Sequence, residues 1–201
     1  MKSDRIEIII SGIGGQGVVY SANLLSRAAL YQHTFSSNIA HYGPESRGSV
    51  TTSEVVISNP PDRMTSRAGL KSSTSKIDYP CVESPDIFIA MHQKGFDHHI
   101  TSHRLHRLNL KYLIYDSTLV NISKTIAPDI KKVNLIAIPA SQLAKEKLKN
   151  IMMANIILTA SVVKATKIVT RENLESALKQ MAPPKDYQLN LQAIELGYLE
   201  I

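Results

Sequence analysis

The sequence predicts a three-layer α/β domain with a mainly parallel sheet and a helical C-terminal third. Three observations carry that expectation. Short β-branched runs alternate with helical patterns over the first two thirds of the chain. A glycine-rich turn joins the first run to the first helical pattern, and everything after Lys149 reads as helix. Strands that alternate with helices form parallel sheets covered on both faces.

The elements follow in order. Ile6 to Ile10 is a β-branched run broken only by Glu7, and it leads into Gly12-Ile13-Gly14-Gly15-Gln16-Gly17. Val18 to Tyr31 places Leu24, Leu25, Ala28 and Ala29 at helical spacing among good helix formers. Phe35 to Ala40 and Val50 to Ile57 read as the second and third strands, joined by a charged loop with turn residues at both ends. Ser58 to Ser84 is polar, holds Pro60, Pro61 and Pro80, and carries Arg63, Arg67, Lys71 and Lys76. A stretch of that length outside regular structure is usually functional or mobile. Asp86 to Met91 and Lys111 to Tyr115 read as buried parallel strands with a crossover helix, Phe96 to Leu108, between them. Asn134 to Ile138 is a further strand, and Pro139 suits the first turn of a helix ending near Lys149. Ile151 to Lys167 is apolar nearly all round, which places it inside the domain or under a partner. Thr170 suits the N-cap of Arg171 to Met181, Pro183-Pro184 stops that helix, and Gln188 to Tyr198 turns Leu191, Ile194 and Tyr198 to one side.

Composition narrows the function. At 201 residues the chain suits one domain spanning 1–201. The formal charge of +6 invites a polyanionic partner, but Lys and Arg are dispersed and Trp is absent, so a nucleic-acid platform is not expected. A phosphorylated ligand or an acidic protein suits the balance better. Cys81 is the single cysteine, so no internal disulfide forms, and a cluster that takes about four cysteine ligands cannot sit on this chain alone. Cys81 reads as a buried or structural thiol. The chain enters a strand after five residues with no signal-peptide layout, and its most apolar stretch is too short to span a bilayer. A cytoplasmic protein without membrane contact is the expectation.

The glycine turn is the first chemical signal. Between a strand and a helix it leaves backbone N–H groups at the helix N-terminus, where the helix dipole favours phosphate or carboxylate. Gly12-x-Gly14-x-x-Gly17 matches the dinucleotide fingerprint. Its second half does not follow, because the second strand ends in His41 and Tyr42. No carboxylate for the ribose hydroxyls comes before Glu45, and no Arg for a 2′-phosphate comes before Arg47. A stand-alone nucleotide-binding α/β protein or NAD(P)-dependent oxidoreductase stays as the alternative reading. Glycines that merely let the helix approach the sheet, or let another chain approach, stay open beside it.

The second signal is Tyr42-Gly43-Pro44-Glu45-Ser46-Arg47-Gly48, a loop of fixed backbone with Glu and Arg two apart. The two motifs in this order resemble the gamma subunit, or gamma domain, of the pyruvate, 2-oxoisovalerate, indolepyruvate and 2-oxoglutarate ferredoxin oxidoreductases. Ser84 to Met91, Leu113 to Ser117 and Met153-Ala154-Asn155 extend the likeness over most of the chain. Two departures stand out: Ser49 replaces a second glycine after Arg47-Gly48, and the stretch from Ser58 to Lys76 is longer than is usual.

That resemblance implies a Rossmann-like, noncatalytic subunit of a 2-oxoacid:ferredoxin oxidoreductase that acts with alpha, beta and, in some assemblies, delta subunits. The complex decarboxylates a 2-oxoacid on thiamine diphosphate, passes electrons through iron–sulfur clusters to ferredoxin and delivers the acyl group to coenzyme A. Thiamine diphosphate and the clusters are implied on the partners. For this chain it implies contact with coenzyme A at Gly12, Gly14, Gly15, Gln16 and Gly17, and at Tyr42, Gly43, Pro44, Glu45, Arg47 and Gly48. No catalytic residue and no metal ligand are expected. His99, His103 and His106 share one helix face at i, i+4 and i+7, but a solvated face is the expected reading. No Gly-x-Ser-x-Gly elbow and no P-loop Gly-Lys-Ser/Thr is present.

Overall fold

The computed structural model describes residues 5–43, 48–58, 77, 79–101, 110–122 and 133–201. Six strands form one sheet in the order β2-β3-β1-β4-β5-β6. They are β1 (Arg5–Ile13), β2 (Phe35–Tyr42), β3 (Val50–Ser58), β4 (Ile87–Ala90), β5 (Tyr112–Asp116) and β6 (Asn134–Ile138). The helices are α1 (Val18–Tyr31), α2 (Gln93–Thr101), α3 (Ala140–Lys147), α4 (Ala154–Thr166), α5 (Arg171–Met181) and α6 (Tyr187–Leu199). Of the strand pairings, β1–β4, β4–β5 and β5–β6 are parallel, whereas β1–β3 and β2–β3 are antiparallel. The sheet is therefore mixed, and β3 alone runs against the rest. The physical reason is the short link after β2, since a parallel neighbour needs a crossover of about a dozen residues or more.

Alternation along β1 sets the two faces. Ile8 and Ile10 join Val55, Ile57, Ile89 and Ile114 in the larger core, covered by α1 and α3 to α6. Ile9 faces the other way with Phe88, Ala90 and Leu113, where Phe96 of α2 packs. The predicted crossover helix begins earlier than Phe96, at Gln93. Helix α4 is buried from Asn155 through Val163 by this chain's own elements, so its all-round apolar character describes a core helix. It is preceded by a short 3₁₀ turn, Ile151–Met153, rather than extending to Ile151 as one helix. Thr170 accepts from the Asn173 N–H, as an N-cap does. Helix α6 lies deeper than its Leu191, Ile194 and Tyr198 stripe indicates: Asn190, Ala193, Ile194 and Gly197 are its buried residues. At Gly197 an added Cβ would run into the Ile157 carbonyl of α4, and the Ser161 hydroxyl donates to the Gly197 oxygen across that contact at 2.9 Å.

The stretch from Ser58 to Lys76 lies, beyond its first residue, outside the described residues. The chain after it is held firmly to the sheet. Arg5 donates to the carbonyls of Tyr79 and Cys81, and Glu7, buried at 7% exposure, accepts from Arg5 and from the N–H groups of Glu83 and Ser84. Glu54 on β3 accepts from the Val82 N–H. Cys81 is a free, half-buried thiol. Among the described residues, no helix is long and apolar enough to cross a membrane.

Candidate functional site

The glycine turn is tighter and starts later than its sequence suggests. Gly12 and Ile13 still belong to β1, paired with Thr51 and Val50. Gly15 (φ 92°) and Gly17 (φ 80°) take left-handed conformations that L side chains rarely adopt. Gly17 caps α1 without any side-chain hydrogen bond, and the first turn of α1 holds no acidic residue. The first turn of α1 therefore brings no carboxylate of its own to neutralise the positive end of the helix.

Gln16 is turned inward. Its Oε1 accepts from the Ile13 N–H at 2.9 Å and its Nε2 donates to the Met91 carbonyl at 3.2 Å, bracing the turn against the end of β4. Gly12 makes room for that brace, because an added Cβ would lie 2.7 Å from Gln16 Oε1. Gly12 and Gln16 thus shape the turn, while Gly14, Gly15 and Gly17 face the adjoining cleft.

The second motif comes directly alongside. Tyr42 ends β2, and the Gly43 N–H donates to the Val50 carbonyl at 3.0 Å. The Gly14 N–H donates to Ser49 O at 3.1 Å, so one backbone hydrogen bond ties the glycine turn to the residue directly after the second motif. Gly48 is left-handed (φ 70°), and Tyr42 is 70% exposed. Pro44, Glu45 and Arg47 lie outside the described residues. Between the motifs opens a cleft of about 910 Å³, lined by the glycines and by Tyr20, Tyr42, Thr51 and Met152. Burial raises the pKa of the Tyr20 phenol, which keeps it a neutral hydroxyl.

A second cavity, of about 490 Å³, lies on the other side of Gly15 and Gln16, over the C-terminal ends of β4 and β5. Its walls are largely apolar, with Met91, Leu119, Met152 and Leu158, and Lys145 stands among its lining residues. Asp116, 3% exposed, ends β5 at this cavity. Its Oδ2 accepts from the N–H and hydroxyl of Ser141 (3.0 and 2.5 Å), and its Oδ1 accepts from the Thr118 N–H. Those bonds commit Asp116 to capping α3 rather than to proton transfer. Sequence reasoning did not single out Asp116, Ser141 or Met152. The signal for Asp116 was its place at the carboxyl end of a parallel strand, where ligand crevices form. The signal for Asn155, which lines the same cavity, was a carboxamide that interrupts the most apolar stretch of the sequence together with Thr159 and Ser161.

The histidine face is not solvated where it is described. His99 is 3% exposed, and its Nε2 lies 3.0 Å from Thr52 Oγ1, which lies 3.1 Å from Ser11 Oγ. His103 and His106 lie outside the described residues. Among the described residues no group of three or more His, Cys, Asp or Glu side chains is arranged to hold a metal.

The topology also bears on the dinucleotide alternative. The strand beside β1 on the glycine-turn side is β3, which presents its N-terminal end, Val50 and Thr51, at the turn. The fingerprint's ribose carboxylate ends a strand running parallel to the first. Here the antiparallel strand β3 occupies that flank instead.

Comparisons with known proteins agree with this architecture. A model described as pyruvate ferredoxin/flavodoxin oxidoreductase matches residues 7–200. The 2-oxoglutarate synthase subunit KorC of Methanocaldococcus jannaschii is 32% identical, covering 96% of this chain and 92% of that protein. The pyruvate/ketoisovalerate oxidoreductases common subunit gamma of Pyrococcus furiosus is 24% identical, covering 96% of this chain and 95% of that one. Among solved structures, the gamma subunit of a keto/oxoacid ferredoxin oxidoreductase from Geobacter sulfurreducens superposes with a TM-score of 0.70 at 25% identity, over 97% of each chain. Matched along nearly its whole length and sharing that fold, the chain belongs to the pyruvate ferredoxin/flavodoxin oxidoreductase family, among its gamma-type subunits.

Proposed function

We propose that this chain works in a complex that oxidatively decarboxylates a 2-oxoacid to its acyl-coenzyme A while reducing ferredoxin, and that its own part is to help position coenzyme A. In this reading alpha and beta subunits, with a delta subunit in some assemblies, carry thiamine diphosphate and the iron–sulfur clusters. The chain's single cysteine is consistent with that division of labour. The 32–33% identity to KorC subunits, against 24–26% to VorA and the common gamma subunits, favours 2-oxoglutarate among the 2-oxoacids.

The observation that carries the reading is the pairing of an uncapped helix N-terminus with two glycine-shaped loops around one cleft. Coenzyme A has a pyrophosphate and a 3′-phosphate, and backbone N–H groups at such a terminus suit them. The +6 charge adds a favourable long-range field.

Gly15 is the place to test it, because nothing lies within 4 Å of a Cβ added there, so the space is open and the substitution acts on the turn's surface and dihedral. In the complex purified with its partners, Gly15→Ala should raise the KM for coenzyme A about tenfold, while the KM for the 2-oxoacid stays put. An unchanged KM for coenzyme A would remove the positioning role. Failure of the tagged chain to bring down thiamine- and cluster-bearing partners would remove the assignment to a complex.

A further inference from the structure

We propose that Met152 positions one elongated ligand, which passes over Gly15 from the 910 Å³ cleft into the 490 Å³ cavity. The anionic end of that ligand lies at the glycine turn, and its long arm lies in the smaller space. The inference rests on the reading of the turn as an anion site and carries it into the neighbouring cavity.

The two spaces meet at Gly15 and Met152, which line both. Gly15 keeps the way across open: its φ of 92° disfavours any side chain, and nothing lies within 4 Å of a Cβ added there. Met152 comes to the same junction from the 3₁₀ turn that precedes α4. It is 52% exposed, beside Ile151 at 54%, whereas Met153 is buried. That exposure is built in, because the backbone of the turn is pinned. The Asn150 side chain accepts from the Met152 N–H at 3.0 Å, and the Asn150 carbonyl accepts from the Met153 N–H at 3.1 Å. The Asn150 N–H in turn donates to the Ala144 carbonyl of α3 at 3.1 Å. A flexible thioether held in water where two cavities join is placed to pack on whatever crosses between them.

The walls give the chemistry of the ligand. On the cleft side, the first turn of α1 holds no acidic residue and offers backbone N–H groups to an anion. On the cavity side stand Met91, Leu119 and Leu158, and much of the polar lining is already engaged within the protein. Asp116 is bonded to Ser141, Gln142 to Glu146, and Gln16 to the Ile13 N–H and the Met91 carbonyl. Lys145 is the one cation among the described lining residues, and it is exposed to solvent. A phosphate buried against those walls would lose its hydration without donors to replace it. The two spaces together suit a small molecule with a phosphorylated head and a long arm of low charge. Coenzyme A and its acyl thioesters belong to that class.

Two probes separate head from arm. Affinities of the full chain for coenzyme A and for inorganic pyrophosphate are measured by calorimetry, alongside the melting temperature. Met152→Ala is expected to weaken coenzyme A about tenfold, to leave pyrophosphate unchanged and to melt with the parent chain. Met152→Leu, which keeps an apolar side chain at the junction, should retain most of the affinity. Coenzyme A should also bind with a more negative heat-capacity change than pyrophosphate, because only its arm buries apolar surface. Unchanged coenzyme A affinity in Met152→Ala overturns the proposal while leaving the glycine turn's role intact. Equal heat-capacity changes for the two probes overturn it as well, since the arm would then lie outside the cavity. An equal loss of both affinities does the same, because Met152 would then only prop the turn. A parent chain that binds neither probe removes the anion site, and this inference with it.

Discussion

Gln16 engages both ends of its carboxamide inside the protein, and this changes what the glycine motif means residue by residue. The motif's glycines and its place between strand and helix were legible in the sequence. The division of labour within it was not, because a one-dimensional pattern cannot distinguish an amide facing a ligand from one bracing a turn. Gly12 shows the same ambiguity, since it sits in β1 and makes space for a side chain rather than for a phosphate. Gln16→Ala should strand the Ile13 N–H and the Met91 carbonyl, at a cost of about 1–3 kcal/mol in urea unfolding. A variant as stable as the parent would show that water replaces the brace. Asp116 and Asn155 lay in stretches that carried the resemblance but were given no role, as burial and the company of Ser141 or Gly17 appear only in three dimensions.

Elements were read more reliably than residues. Val18–Tyr31, Asn134–Ile138 and Arg171–Met181 fall where periodicity and capping placed them. The direction of β3 was the main feature left unstated, although the nine residues from His41 to Ser49 were too few to cross over to a parallel neighbour. Reversal of β3 places Ser49 within bonding distance of Gly14, and so it is the element that unites the two loops. Helix α6 illustrates the opposite limit. Its apolar stripe was visible, but Gly197 lets the backbone of α6 approach Ile157 of α4 and draws Asn190 and Ala193 into the core. Gly197→Ala should therefore destabilise the chain by about 1–3 kcal/mol through overpacking, despite the better helix propensity of alanine. Thermal unfolding showing a gain in stability would contradict that close approach.

For the whole molecule, the fold class followed from alternation of strands and helices, and the family followed from the two loops in order. What the sequence could not disclose is how the long polar stretch is tied down. Glu7 looked like an interruption in a β-branched run, yet it is a buried carboxylate that gathers Arg5 and two backbone N–H groups. Removing that charge in Glu7→Gln should cost about 1.5–3 kcal/mol, because charge-assisted bonds are the strong ones. Hydrogen exchange should then quicken at Glu83 and Ser84 more than in β4. Uniform quickening would mean that Glu7 serves the sheet as a whole.

The clamp around Arg5 has a practical consequence. Arg5 pairs with Ser58 across the sheet and also holds the Tyr79 carbonyl at 2.8 Å, so the polypeptide departs from and comes back to a single residue. Ser58 and Tyr79 are accordingly kept within reach of one residue, so that a change at Arg5 is felt at both places at once.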